Sequence, residues 1–146
     1  MIYLNNKEDI NKFVKAARSF MNVPWKHRGR SRHGMDCGGL VVCSLKEIGY
    51  EAYDLKVYGR EPFRDGLRSV AEENFGDAIT GEIKVGDILL LKFLNEPHHV
   101  AIVGDYLYGG LSLIHSYGEV GKVVETRLDE TWINRIKYIY RMTVKE

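Results

Sequence analysis

The chain has 146 residues, with 21 Lys+Arg against 20 Asp+Glu; 45% of residues are hydrophobic and 28% charged. This is ordinary globular usage, expected for one domain spanning 1–146, and it argues against disorder. A formal net charge of +1 supplies no overall field for nucleic acid or an anionic membrane, so neither is an expected partner. Two cysteines are too few for a disulfide scaffold or a thiolate-rich zinc site.

The N-terminus lacks a basic stretch followed by an apolar one, which predicts no secretory signal peptide. Asn6 is placed to cap a helix whose first turn carries Glu8 and Asp9. Ile10, Phe13, Val14, Ala17 and Met21 then follow helical spacing, and Pro24 ends the run. Residues 25 to 36 read as a polar loop rich in Arg, His and Gly. A second helix is predicted from about Cys37 to Ile48, with Leu40, Val41, Leu45 and Ile48 on one face and Gly49 as its stop. Residues 50 to 62 look irregular, punctuated by Gly59 and Pro62. Phe63, Leu67, Val70, Ala71 and Asn74 fit a third helix that stops at Gly76.

The second half changes character. Strands are predicted at Ile88–Phe93, His99–Val103, Leu111–His115, Lys122–Arg127 and Ile136–Met142, with Gly109-Gly110 as a tight turn. The apolar run from Ile88, even continued through Phe93 and Leu94, is far shorter than the ~20 residues of a membrane span. Trp132, Tyr138 and Tyr140 read as core or sheet-edge residues. Helices followed by consecutive strands indicate α+β with an antiparallel sheet.

Asp36-Cys37-Gly38-Gly39 is the most informative stretch. A cysteine in the first turn of a helix sits at the positive end of the dipole, which favours thiolate. Gly38 and Gly39 leave nearby backbone amides open to hold an oxyanion, and Asp36 can cap the helix. The alternative is an ordinary buried cysteine. Histidines downstream favour the first reading. His99 opens one strand and shares a face with Ala101 and Val103, and His115 ends the next strand. His99 is then the base for the Cys37 proton, and His115 orients its ring. His98 competes for the same role from the loop side. His27 and His33 read as solvated or substrate-rim groups. Cys43 follows Cys37 by six residues, about 240° around a helix, so it points away and reads as core filling. No metal or cofactor is expected, since no close-spaced ligand pair and no phosphate-binding glycine loop is present.

Five segments in order resemble the NlpC/P60 family of cysteine peptidases over roughly Ile10 to Met142. They are Pro24-Trp25 with Gly29; Gly34 through Val41; Gly86-Asp87-Ile88-Leu89; His99 through Val103; and Ile114-His115-Ser116. Val123-Val124-Glu125, Trp132 and Tyr140-Arg141 look most like the phage-borne branch. The resemblance implies a papain-like α+β fold, with a nucleophile helix packed on an antiparallel sheet. It assigns Cys37 as nucleophile, His99 as general base and His115 as third polar residue. Gly38 stands where many members have serine, and Trp25 where many have tyrosine.

Members of that family hydrolyse amide bonds in bacterial cell-wall peptides, often between D-glutamate and diaminopimelate. Lys26, Arg28, Arg30 and Arg32 lie between Pro24 and Met35 with no acidic residue among them. Arginine suits bidentate carboxylate binding. Trp25, Arg28, Arg30, Asp36 and Gly38 are therefore the expected substrate-binding set. The resulting expectation is a peptidoglycan endopeptidase with cell-wall peptides and phage tail proteins as partners. Its expected locations are the host cytoplasm during assembly and then the virion tail. The alternatives are a tail assembly protein that retains the fold, and an acyl hydrolase or transferase built on it.

Overall fold

The computed structural model describes residues 1–54, 66–92 and 97–145. The expected punctuation at Gly59 and Pro62, the helix residue Phe63 and the apolar pair Phe93 and Leu94 lie outside the described residues. In chain order the elements are β1 (Tyr3–Leu4), α1 (Glu8–Ser19), β2 (Arg30–Ser31), β3 (Gly34–Met35), α2 (Cys37–Glu47), α3 (Gly66–Phe75), β4 (Ile88–Lys92), β5 (Pro97–Asp105), β6 (Leu111–Tyr117), β7 (Lys122–Arg127), α4 (Glu130–Ile133), β8 (Ile136–Tyr140) and β9 (Thr143–Val144). The architecture is α+β, with three main helices beside an antiparallel five-stranded sheet in the order β7-β6-β5-β4-β8.

Local chemistry explains most boundaries. Asn6 Oδ1 accepts the Asp9 amide at 3.2 Å, and Glu8 and Asp9 occupy the acidic first turn of α1. Phe13, Val14 and Ala17 are buried as their spacing predicts. Met21 is not helical, because α1 ends at Ser19, before Pro24 is reached. Gly49 and Gly76 follow α2 and α3 with φ of 92° and 81°, a conformation that a side chain would penalise. The expected loop 25 to 36 contains a small hairpin instead, since Arg30 pairs with Met35 and Ser31 with Gly34.

The sheet has two apolar faces because alternate residues point to opposite sides. Ile88, Leu90, Val100, Ile102 and Ile114 face the helices and join Phe13, Leu40 and Leu45 in the main core. Leu89, Leu91, Ala101, Val103 and Leu113 form a second core on the other face. That face is covered by Ile83, Leu128, Trp132, Ile136 and Ile139. Chain ends meet in parallel pairing of β1 with β9, where Leu4 is fully buried.

The middle of the sheet is where positioning matters. Gly86 donates its amide to Val103 O at 2.8 Å, and Val103 donates to Asp87 O at 2.9 Å. Odd-numbered residues of β5 therefore bond toward β4, and even-numbered ones turn their amides toward β6. The β5–β6 ladder runs from Ile102↔Ile114 to Asp105↔Leu111. The β6–β7 ladder continues to Tyr117↔Lys122. Beyond Ile102 the β5–β6 ladder ends, and beside this opening Ser116 Oγ of β6 donates to Met35 O, just before α2.

Candidate active site

Asp36 and Cys37 are fixed by helix-capping geometry. Asp36 is the N-cap of α2, extended at φ −92° and ψ −171°, and its carboxylate accepts the Gly39 amide at 2.8 Å. It also accepts the Arg28 amide at 2.9 Å and one guanidinium nitrogen of Arg30 at 2.7 Å. This agrees with its reading as a cap. It also corrects the expected oxyanion pair, because the Gly39 amide is directed to Asp36. Gly39 itself has to be glycine, since a Cβ there would collide with Gly29 O.

Cys37 is buried, with 7% of its surface exposed. The backbone N–H groups of Val100 and Gly38 favour its ionised form. Val100 is an even-numbered β5 residue, whose amide turns to the β6 side beyond the end of the ladder. The residue before Val100 is His99. Burial pushes the Cys37 thiol up to about 12, the Asp36 carboxylate adds to that rise, and the two amides and Arg30 oppose it. The resting thiol is therefore protonated at neutral pH, with desolvation acting against the lowering that a helix N-terminus favours. Cys43 is also a free, buried cysteine in the core.

His99 and His115 meet across the opening. His99 Nε2 and His115 Nδ1 are 2.9 Å apart, a hydrogen bond. Both are buried, His115 completely. They lie on the sheet face away from the helices, in an aromatic cluster with Tyr117 and Trp132. His115 stacks on Tyr117 with centroids 5.5 Å apart, and Trp132 meets His115 edge-on at 5.0 Å. Burial pushes His115 down to about 4, so it is neutral at pH 7. Its far nitrogen, Nε2, lies 3.2 Å from Thr126 Oγ1 on β7. The side chain of the competing His98 lies outside the described residues.

Thr126 carried no signal in sequence, because only the register Leu113↔Thr126 and His115↔Val124 brings it beside the ring. Trp132 was legible as an apolar residue, but its approach to both imidazoles depends on the short helix α4, which was not predicted.

The basic segment divides. Arg30 binds Asp54 through two nitrogens at 2.8 and 3.0 Å and also binds Asp36. Arg32 donates to Ser19 O at 3.0 Å and lies over the Phe20 ring. Their carboxylate and carbonyl partners belong to the chain itself. Arg28 is exposed at a φ of 61°, on a groove shared with Arg30, Cys43, Lys46 and Tyr50. Trp25 is half-buried; its amide donates to Gly121 O and its indole lies against Gly118 and near His27. Gly38 is partly exposed beside the thiol. It also borders an apolar cavity lined by Val41, Leu67, Phe75, Leu90 and Val100.

The model of the NlpC/P60 family matches residues 22–141. Among solved structures, the chain is similar to the NlpC/p60 domain of the peptidoglycan hydrolase SagA, with 19% identity and a TM-score of 0.58 over 91% of this chain and 98% of that one. It is similar to the P60 domain of an antigen from M. avium subspecies paratuberculosis, with 18% identity and a TM-score of 0.61 over 93% and 96% of the two chains. A lipoprotein-like NLP/P60 family protein from Staphylococcus aureus gives 17% identity and a TM-score of 0.64, over 96% of this chain but 43% of that one. No curated protein matches the chain. These likenesses bear out the expected α+β architecture of papain-like type.

Proposed function

The chain belongs to the NlpC/P60 family, and from that premise we propose that it is a cysteine peptidase acting on the peptide part of peptidoglycan. The observation that carries this reading is the buried, hydrogen-bonded His99–His115 pair, next in the chain to Val100, whose amide favours the ionised Cys37. In this reading, His99 carries its proton on Nε2 and donates it to His115 Nδ1. Neutral His115 directs its own N–H to Thr126. His99 Nδ1 is then the base.

The sulfur of Cys37 attacks the scissile carbonyl carbon as His99 takes the thiol proton. Transfer on attack suits a thiol that rests protonated. The carbon–nitrogen bond breaks, and the imidazolium of His99 gives its proton to the leaving amine. Water then attacks the thioester, its proton passing to His99, and the carbon–sulfur bond breaks. The thiolate recovers the proton, and the acid is released. The Gly38 amide supports the developing oxyanion. Arg28 and Trp25 line the substrate side, with Arg28 matched to a stem-peptide carboxylate. The bond we assign is the D-glutamate–diaminopimelate amide, in a single domain of 1–146 delivered by a phage tail, on the resemblance of its motifs.

Replacing Cys37 by Ala tests the reading. Cleavage of purified muropeptides, followed by mass spectrometry, is expected to vanish while the circular dichroism spectrum is retained. Unchanged turnover would remove it. The apolar cavity beside Gly38 and Val100 favours one second reading, an acyl hydrolase of the same chemistry. Faster cleavage of aliphatic acyl esters than of muropeptides would select it.

A further inference from the structure

Arg30 is held from both sides by carboxylates. Asp54 receives it through Nε at 2.8 Å and Nη2 at 3.0 Å, a two-point grip that fixes the guanidinium plane. The remaining nitrogen, Nη1, donates to Asp36 Oδ1 at 2.7 Å and to Gly29 O at 2.9 Å. The side chain of Arg30 is 19% exposed, that of Asp54 11% and that of Asp36 5%. Water therefore screens this network poorly, and its charges act over the few ångströms to the thiol.

The Asp36 carboxylate is needed to cap α2, yet it is the negative charge beside a group that must become a thiolate. A cap alone could be made by Ser or Asn without charge. The structure answers this conflict by placing a fixed cation on Asp36. We propose that Arg30, oriented by Asp54, is a positioning residue of the Cys37 site: it holds the Asp36 cap in place and offsets its charge as the thiol ionises. The inference rests on the reading of Cys37 as nucleophile. Among the described residues, the charged groups that act on the thiol are Asp36 on its own cap and Arg30 from β2; on the sheet, His99 of β5 is bonded to His115 of β6. Asp36 opposes thiolate and Arg30 favours it.

The test is the pH profile of Cys37 alkylation by iodoacetamide, read on the Cys37 peptide by mass spectrometry so that Cys43 does not interfere. Arg30→Met is expected to move the profile to higher pH by about one unit, so that alkylation at pH 8 falls about tenfold. Arg30→Lys, which keeps the charge without the two-point grip, restores most of that loss. Asp36→Asn keeps a capping side chain and is expected to move the profile to lower pH. In the Asp36→Asn background, Arg30→Met has a smaller effect than in the wild type. A purely structural Arg30 would lower the melting temperature and leave the profile in place, and that result overturns the proposal. If Arg30→Met does not fold, Asp36→Asn decides: a profile matching wild type refutes the charge role. Alkylation needs no substrate. A wild-type protein that fails to cleave muropeptides but shows these shifts would therefore refute the peptidase reading alone.

Discussion

His115 combines full burial with a titratable ring, so its cost appears on acidification. Its value of about 4 in the folded chain lies below the 6.5 of an exposed imidazole. The unfolded chain therefore takes up this proton first as pH falls. The stabilisation is complete above pH 6.5 and is lost progressively toward pH 4. By pH 5 the loss is about 2 kcal/mol. Thermal melts at pH 7 and pH 5 should show a clear drop for the wild type and a shallower one for His115→Gln. Equal slopes would mean that His115 already carries its proton in the folded state. The partner role of Thr126 belongs to the same scale. A threonine at position 126 has no motif around it, and only folding supplies its neighbour.

At the scale of elements, α2 is seated by the absence of side chains. Gly39 passes under Gly29 so closely that a Cβ would meet a backbone oxygen, which cannot swing aside. Gly39→Ala should cost about 1–3 kcal/mol and displace the first turn of α2, with activity lost in proportion. A folded variant with full activity would contradict this seating. The longer elements were legible for specific reasons. Acidic residues, Asn6 and buried spacing mark α1; Asp36 and Gly49 bracket α2; and Gly109 and Gly110, with φ of 94° and 77°, turn β5 into β6. The two-residue strands β1, β2, β3 and β9 were not, because a pair of residues has no period to read. Nor was the ion pair of Arg30 with Asp54, which joins positions 24 residues apart through the fold alone. Cys37, His99 and His115 stood out in sequence as residue types at helix and strand ends. What could not be read was their electrostatic setting: burial raises the Cys37 thiol.

The whole molecule is tied together by a few contacts between its two ends and the sheet. Arg141, just past β8, grips the buried Asp87 at 2.9 Å with both Nε and Nη2 and also reaches Glu82 O. Asp87 is 1% exposed and precedes β4, so removing Arg141 leaves its buried carboxylate with the Lys84 amide but without that cation. Arg141→Met should lower stability by about 3 kcal/mol, read by urea unfolding, while leaving the Cys37 alkylation profile unchanged. A neutral result would show that water takes over the Asp87 carboxylate. The parting of β5 from β6 is the counterpart to these ties, since the sheet gives up part of a ladder there to admit a helix end. One outcome is spectroscopic. The Val100 amide, which favours the ionised form of Cys37, serves as a built-in probe of that sulfur. Its proton resonance should shift whenever the sulfur is ionised, alkylated or acylated, so that a single backbone signal reports the chemical state of the nucleophile during a reaction.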